Sequence, residues 1–348
     1  MKISRRQLKL IESLNNDQEK ANRLYKPGPY WSYKCKKASD WILKKGFDDF
    51  RGLNSPVATS YGDNLILDKR NEFGLNFKSR ILIAISNLPI IKKLYQNQLQ
   101  LTKNNIEKFL RYQNFFYQQN KRVEYLINNY NLDQTTLFES VNNFEYKGKL
   151  YSCLYLVNLN ILDEISKIID LRNINSVFEI GGGFGSNIHI MLQNFKNIKK
   201  IIYMDISPNL FIGTEYLRYF YKDAVKDYVD TKDKEIKFLN NNDLEIFCLP
   251  PWQLPNISSR IDYFHNASSF QEMTKEIIIN YSNYISKILK DKGSISLIYY
   301  NNDNPKTVKI DEIKNIFSQN FSEVNFPILT PLDVKMSLLY KINNDLSN

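Results

Sequence analysis

The 348-residue chain carries 47 Lys and Arg against 37 Asp and Glu, a net charge of +10, with 43% hydrophobic and 14% aromatic residues. That composition excludes a disordered chain and leaves room for one large domain or two smaller ones. Three scattered cysteines and two histidines exclude a disulfide framework and a His-rich metal site.

The N-terminal "MKISRRQLKL" is charged where a secretory leader would be apolar, and no run nears the ~18 apolar residues of a membrane span. The expectation is a cytoplasmic protein without stable membrane insertion. The basic surplus suits nucleic acid, anionic lipid or a phosphate-bearing small substrate, and equally a plain solvated surface. Its lysines are scattered and form no continuous stripe, so nucleic acid is not an expected partner. A homo-oligomer stays open.

The first half reads as helix and loop. Residues 4–25 place Leu8, Leu10, Ile11 and Leu14 at helical spacing, followed by the breaker "KPGPYW". "KKASDWILKKGFDDFRG" predicts a short helix ending near Gly52. "NNIEKFLRYQNFFYQQNKRVEYLINNY" predicts a longer one, with Ile106, Phe109, Leu110 and Phe116 along one stripe. "ILIAI" at 81–85 is a core-sized apolar patch. Residues 1–150 are expected to form a mainly helical domain with a substrate or oligomerisation role.

The rhythm then changes. Strand-like runs at 176–180, 200–205, 244–249, 261–266 and 294–300 alternate with helical segments at 185–195, 208–222 and 270–290. The last helix is expected to stop in "LKDKG", with lysines in its final turn and a glycine beyond. Nearly all-apolar strands between helices predict a parallel sheet covered on both faces. "DVKMSLLYKINN" alternates well enough for an added antiparallel strand. Residues 151–348 therefore read as an α/β, doubly wound, Rossmann-like domain.

"VFEIGGGFGSNIHI" (177–190) is a strand, a glycine turn and a helix, the generic nucleotide-binding arrangement. Gly181, Gly183 and Gly185 permit positive φ and let a ligand touch bare backbone. Ser186 stands where a dinucleotide loop would place its third Gly or Ala. Glu179 lies beside the turn, where a like-charged pyrophosphate gains nothing. S-adenosylmethionine (SAM) carries a sulfonium and an ammonium and no phosphate, so the charge favours it over NAD. Glu179 as a buried carboxylate capping local amides is the plainer alternative.

Asp205 ends the next strand, where a carboxylate accepts both hydroxyls of a ribose, though it also suits a cap on the following helix. In "CLPPWQLP", Leu249 or Trp252 is placed to pack on the adenine, or the stretch is a rigid corner. The fourth strand exits in "FHNASSFQEM", so His265 and Asn266 are expected to face the same crevice. Transfer to a hydroxyl releases a proton, and His265 and Glu272 are the candidate bases. "SFQE" is also a capping-box pattern that would explain Glu272 without catalysis. His189 reads as packing or surface. A magnesium ion on carboxylates and Asn266 stays open; no dedicated metal site is assigned.

At "VFEIGGGFG", "IIYMDISPNL", "LPPWQL" and "FHNASSFQEM", in that order, the chain resembles the sugar O-methyltransferases of bacterial glycan and natural-product pathways. These belong to the class I SAM-dependent superfamily. The likeness runs from about Tyr151 to Tyr340 and thins over "YWSYKCKKASDWILKKGFDDFRG". It implies SAM contacts at Glu179, Gly181, Gly183, Gly185 and Asp205, with Asn266 and Glu272 on the acceptor side. Phe184 replaces an expected Tyr, and His265 an expected aliphatic residue, which favours neither base over the other. The implied acceptor is a sugar hydroxyl, on a nucleotide-activated sugar or a surface-glycan precursor. Tyr30, Trp31 and Trp41 are aromatics that could stack on a sugar or simply pack. The rivals are an NAD(P)-dependent sugar epimerase or dehydrogenase, for which no Tyr-x-x-x-Lys pair follows the fourth strand, and a non-catalytic basic binding module.

Overall fold

A computed structural model describes residues 3–29, 31–52, 55–57, 111–112, 114–118, 120–300, 307–324 and 334–341. Tyr30, the 81–85 patch, Ile106, Phe109 and Leu110 lie outside them.

Helix α1 (Arg5–Lys20) opens with a capping box in which Ser4 and Gln7 exchange hydrogen bonds. Leu10, Ile11 and Leu14 are buried as their spacing predicts, whereas Leu8 falls off the stripe and is exposed. α2 (Ser32–Lys45) stops at Gly46 and not near Gly52, because the Gly46 N–H closes on the Ile42 carbonyl at 2.8 Å. α3 (Asn120–Asn129) is the described end of the long predicted helix. A hairpin, β1 (Asn143–Tyr146) with β2 (Lys149–Ser152), interrupts the half expected to be helical, and α4 (Cys153–Ser166) follows it.

The sheet begins at β3 (Ser176–Ile180), which leads through the glycine turn into α5 (Ser186–Asn194) and on to β4 (Lys200–Met204). Then come α6 (Asn209–Tyr221), β5 (Val225–Lys226), β6 (Glu245–Leu249) and β7 (Ile261–Ala267). The chain continues through α7 (Lys275–Ile288), β8 (Leu289–Tyr300), α8 (Ile310–Phe317), β9 (Phe321–Val324) and β10 (Val334–Lys341). The strand order is β5-β6-β4-β3-β7-β8-β10-β9, parallel except that β10 runs against both β8 and β9. This is the expected Rossmann-like sheet with its C-terminal strand reversed.

"LKDKG" does not stop the helix as expected. α7 ends at Ile288, and Leu289 already pairs with Ile261, while the next paired residues are Tyr263 and Ser294. Residues 290–293 therefore bulge opposite Asp262, whose carboxylate takes the Lys290 ammonium at 2.6 Å.

Successive side chains point to opposite faces, and both faces are apolar. Val177, Ile201 and Tyr263 join one cluster with α4, α5 and α6; Phe178, Ile202 and Phe264 join another with α7 and α8. The first cluster also contains Leu10, Ile42 and Phe50, so apolar packing is continuous across residue 150. Polar contacts tie α1 down at the same place. Arg6 reaches Asp227 and Asp230, Gln7 reaches Glu215, and Asn15 and Gln18 bond Ser207 just beyond β4. Among the described residues no helix is long and apolar enough to cross a membrane.

Candidate functional site

Three of the four glycines in the turn after β3 adopt the left-handed region, with φ of +73° at Gly181, +62° at Gly183 and +83° at Gly185. At Gly181 the need is also spatial: a Cβ there would lie 2.2 Å from the Ser269 hydroxyl. The bare turn thus lets the exit of β7 come alongside the exit of β3. Beside them, at the carboxyl ends of the strands, opens a cleft walled by Gly181, Gly183, Asp205, Ser269, Glu272 and Trp31.

Asp205 lies just past the end of β4, as its place in the sequence predicts. Its Oδ2 accepts the Gly183 N–H at 2.9 Å and its Oδ1 accepts the Ile206 N–H at 2.7 Å. Burial pushes its carboxyl up to about 7; the two amides oppose that, and the nearby Glu272 charge adds to it. A carboxylate oxygen has lone pairs to spare beyond one N–H, so ribose hydroxyls are within its capacity.

Glu179 is fully buried one layer beneath the turn. It faces the α4–α6 side, in register with Tyr203 on β4 and His265 on β7. Oε1 accepts the Asn187 amide at 2.9 Å, whereas Oε2 has no partner and lies where a Cβ on Gly182 would approach it to 2.5 Å. Burial pushes its carboxyl up to about 7, opposed by Asn187 and reinforced by Asp205. An orphaned buried oxygen directly under a glycine backbone fits a cationic ligand better than an anionic one.

His265 does not face the crevice. The alternation along β7 turns it into the buried face, where Nδ1 meets the Ser296 hydroxyl at 2.6 Å and Tyr263 lies at 3.2 Å. Its Nε2 is 3.9 Å from Glu179 Oε1, within reach of an ion pair. Burial opposes that pairing by holding the imidazole down at about 4 and the carboxyl up at about 7, so both partners are neutral near pH 6. A neutral, enclosed imidazole has no path to an acceptor, and His265 is corrected to a structural residue. His189 is likewise enclosed, with Nδ1 on the Tyr221 hydroxyl at 2.8 Å and its ring against Phe220.

Glu272 does line the cleft. The expected capping box at Ser269–Glu272 does not form: the Ser269 hydroxyl donates to the Ile180 carbonyl, and the Glu272 side chain turns inward. Its Oε2 accepts the Trp31 indole N–H at 2.6 Å and its Oε1 the Tyr300 hydroxyl at 3.2 Å. Burial raises its carboxyl above the usual range, against Trp31, Tyr300 and Lys34, which favour the charged form.

Four other expected site residues do not reach the cleft wall. Gly185 abuts Leu217, where a Cβ would lie 3.1 Å from its side chain. Leu249 is wholly enclosed in the core on the α7–α8 side. Trp252 packs edge-on against Tyr228 and donates to its hydroxyl at 3.0 Å, leaving Pro251 at the wall. Asn266 is spent on structure: its amide donates to the Ile180 carbonyl at 2.8 Å and to Ser269, and its oxygen accepts the Phe270 N–H. Among the described residues no three His, Cys, Asp or Glu side chains form a metal-binding group.

The sequence reading offered Trp31, as an aromatic for a sugar or for packing, but missed Lys26 and Gly28, which reach the wall with it. It also missed Tyr281 on α7. The apolar stripe of α7 is visible in the sequence; the docking of Lys26, Gly28 and Trp31 has no local signal.

No family model matches the chain, and no curated protein matches it. Solved structures resemble it over part of its length. The pyocyanin biosynthetic protein PhzM matches with 12% identity and a TM-score of 0.40 over 55% of this chain and 58% of its own. The mitomycin 7-O-methyltransferase MmcR matches with 12% identity and a TM-score of 0.35 over 54% and 57%. The N-methyltransferase NodS from Bradyrhizobium japonicum WM9, in complex with S-adenosyl-L-homocysteine, matches with 10% identity and a TM-score of 0.37 over 52% and 87%. The match thus spans little more than half the length of the first two. The fold is Rossmann-like, as the strand order shows, and the functional reading rests on the geometry of the cleft.

Proposed function

We propose that the protein is a SAM-dependent O-methyltransferase whose acceptor is a sugar hydroxyl, on a nucleotide-activated sugar or a growing surface glycan. The observation that carries the reading is the Asp205 carboxylate, held at the end of β4 on the wall of the same cleft as Gly181 and Gly183. Two further carboxylates belong to the surroundings, Glu179 beneath the turn and Glu272 on the wall. Three acids around one bare turn suit a positively charged nucleoside and repel a diphosphate.

Bound there, SAM supplies a methyl group on a positively charged sulfur, a leaving group that needs no acid. The chain's own residues do the rest. Gly181 and Gly183 admit the ligand to backbone contact, and Asp205 holds the ribose hydroxyls. Glu272, on the wall and bearing a carboxylate, takes the proton of the acceptor hydroxyl, a contribution of roughly 10²–10⁴-fold for a placed base. The sugar class rests on the motif resemblance and on the aromatic Trp31 in the wall.

Thermal shift with SAM, S-adenosylhomocysteine and NAD tests the cofactor. A melting temperature raised by the first two and unmoved by NAD is the expected result; a rise with NAD alone overturns the reading. Mass spectrometry of glycans from a deletion strain tests the acceptor, a missing methyl group being expected on a sugar.

A further inference from the structure

Glu272 is clamped. Trp31 at the start of α2 and Tyr300 at the end of β8 donate to its two carboxylate oxygens, the first at 2.6 Å across 241 residues of chain. Such charge-assisted bonds are about twice as strong as neutral ones, and a carboxylate held at both oxygens has one orientation. The backbone that carries the indole is held as well. The Trp31 main-chain N–H bonds the Gly28 carbonyl at 3.0 Å, and Gly28 rests on the carboxylate-bearing turn so closely that a Cβ would lie 2.8 Å from the Glu272 carbonyl oxygen. Any larger residue at 28 would lift the segment away and take the indole with it. An ordinary packing tryptophan needs only some acceptor for its N–H; this one stands in the cleft wall and aims at the cleft's own carboxylate.

We propose that Trp31 and Tyr300 are positioning residues that hold the Glu272 carboxylate oriented and ionised for the acceptor hydroxyl. The proposal rests on the reading of Glu272 as the acceptor's base. Two donors favour the charged form, and Lys34 adds positive charge from α2. Burial opposes them, and Asp205 at the end of β4 is a like charge in the same cleft. Among the described residues, Lys26 and Tyr281 are the other titratable groups on the wall. Losing either donor therefore moves the Glu272 titration to higher pH and frees its side chain to turn.

The chain has three tryptophans, so Trp41→Phe with Trp252→Phe leaves Trp31 as the sole indole. Its emission then reports the charge on its acceptor. The expected result is a single pH step that Glu272→Gln abolishes and that Tyr300→Phe moves upward by about 0.5 in pH or more. Should Glu272→Gln fail to fold, Glu272→Asp withdraws the carboxylate by one methylene and is expected to shrink the step. A step that Glu272→Gln leaves in place, one that Glu272→Asp leaves undiminished, or a midpoint that Tyr300→Phe does not move overturns the clamp. Calorimetric binding of S-adenosylhomocysteine to the same proteins separates the two readings. Proteins that titrate as expected but do not bind it keep the clamp and overturn the cofactor assignment.

Discussion

The Asp205 carboxylate accepts the Gly183 N–H at 2.9 Å, which locks the end of β4 to the glycine turn after β3. A ribose held by Asp205 would therefore sit at a fixed distance from the turn. Asp205→Ala is expected to weaken S-adenosylhomocysteine binding by about 10²-fold, the worth of two hydrogen bonds to a charged group at ~1.5 kcal/mol each. Calorimetry measures it, and an affinity within threefold of the parent would remove Asp205 from the site.

Burial holds Glu179 and Asp205 at about 7, against ordinary values of 4.5 and 3.8. A carboxyl raised in the folded state contributes stability below its unfolded value and loses it as pH rises through the folded one. From these two groups the ligand-free protein is expected to lose stability between about pH 4 and pH 7. A cationic ligand needs them ionised, so the gain in melting temperature on adding SAM is expected to be larger at pH 8 than at pH 6. Scans at both values, with and without SAM, test the sign.

His265→Ala removes a partner from Ser296 and Tyr263 inside the sheet's buried face. The expected cost is about 1–3 kcal/mol of stability in urea unfolding, with S-adenosylhomocysteine affinity unchanged. A folded variant that loses affinity instead would return His265 to the site.

Asp227 is the anchor for α1. Its fully buried carboxylate accepts from Arg6 and Arg218 and caps the Val229 and Asp230 amides. Those partners hold its carboxyl below the usual range against the burial that raises it, so its contribution is present at neutral pH and lost as pH falls through the depressed value. Asp227→Ala leaves Arg218 paired with Glu215 alone and uncaps the Val229 and Asp230 amides, and is expected to lower stability by about 2 kcal/mol at pH 7, less at pH 3, by urea unfolding.

Most of the sheet was legible because its signal is local. A strand buried on both faces must be largely apolar, and 176–180, 200–204 and 245–249 are so apart from Ser176, Glu179 and the paired Lys200 and Glu245. The turn was legible for the same kind of reason, since positive φ at 181, 183 and 185 selects glycine. The side of the sheet that each strand residue takes follows from alternation, and applying it to β7 would have turned His265 inward from the start. The capping box at "SFQE" was equally local, yet it lost to tertiary partners: the Ser269 hydroxyl found the Ile180 carbonyl and Asn266, and Glu272 found Trp31.

By itself, then, the sequence determined the strand–turn–helix unit, the reversed last strand and the carboxylate at the end of β4, all set by backbone geometry and two-sided burial within a few residues. Tertiary structure alone decided that Lys26, Gly28 and Trp31 would wall the cleft and that Trp31 would meet Glu272. Such a contact joins distant segments and depends on how α1 and α2 dock against the sheet. No local propensity encodes that docking, because its free energy comes from apolar area and ion pairs shared with residues two hundred positions away.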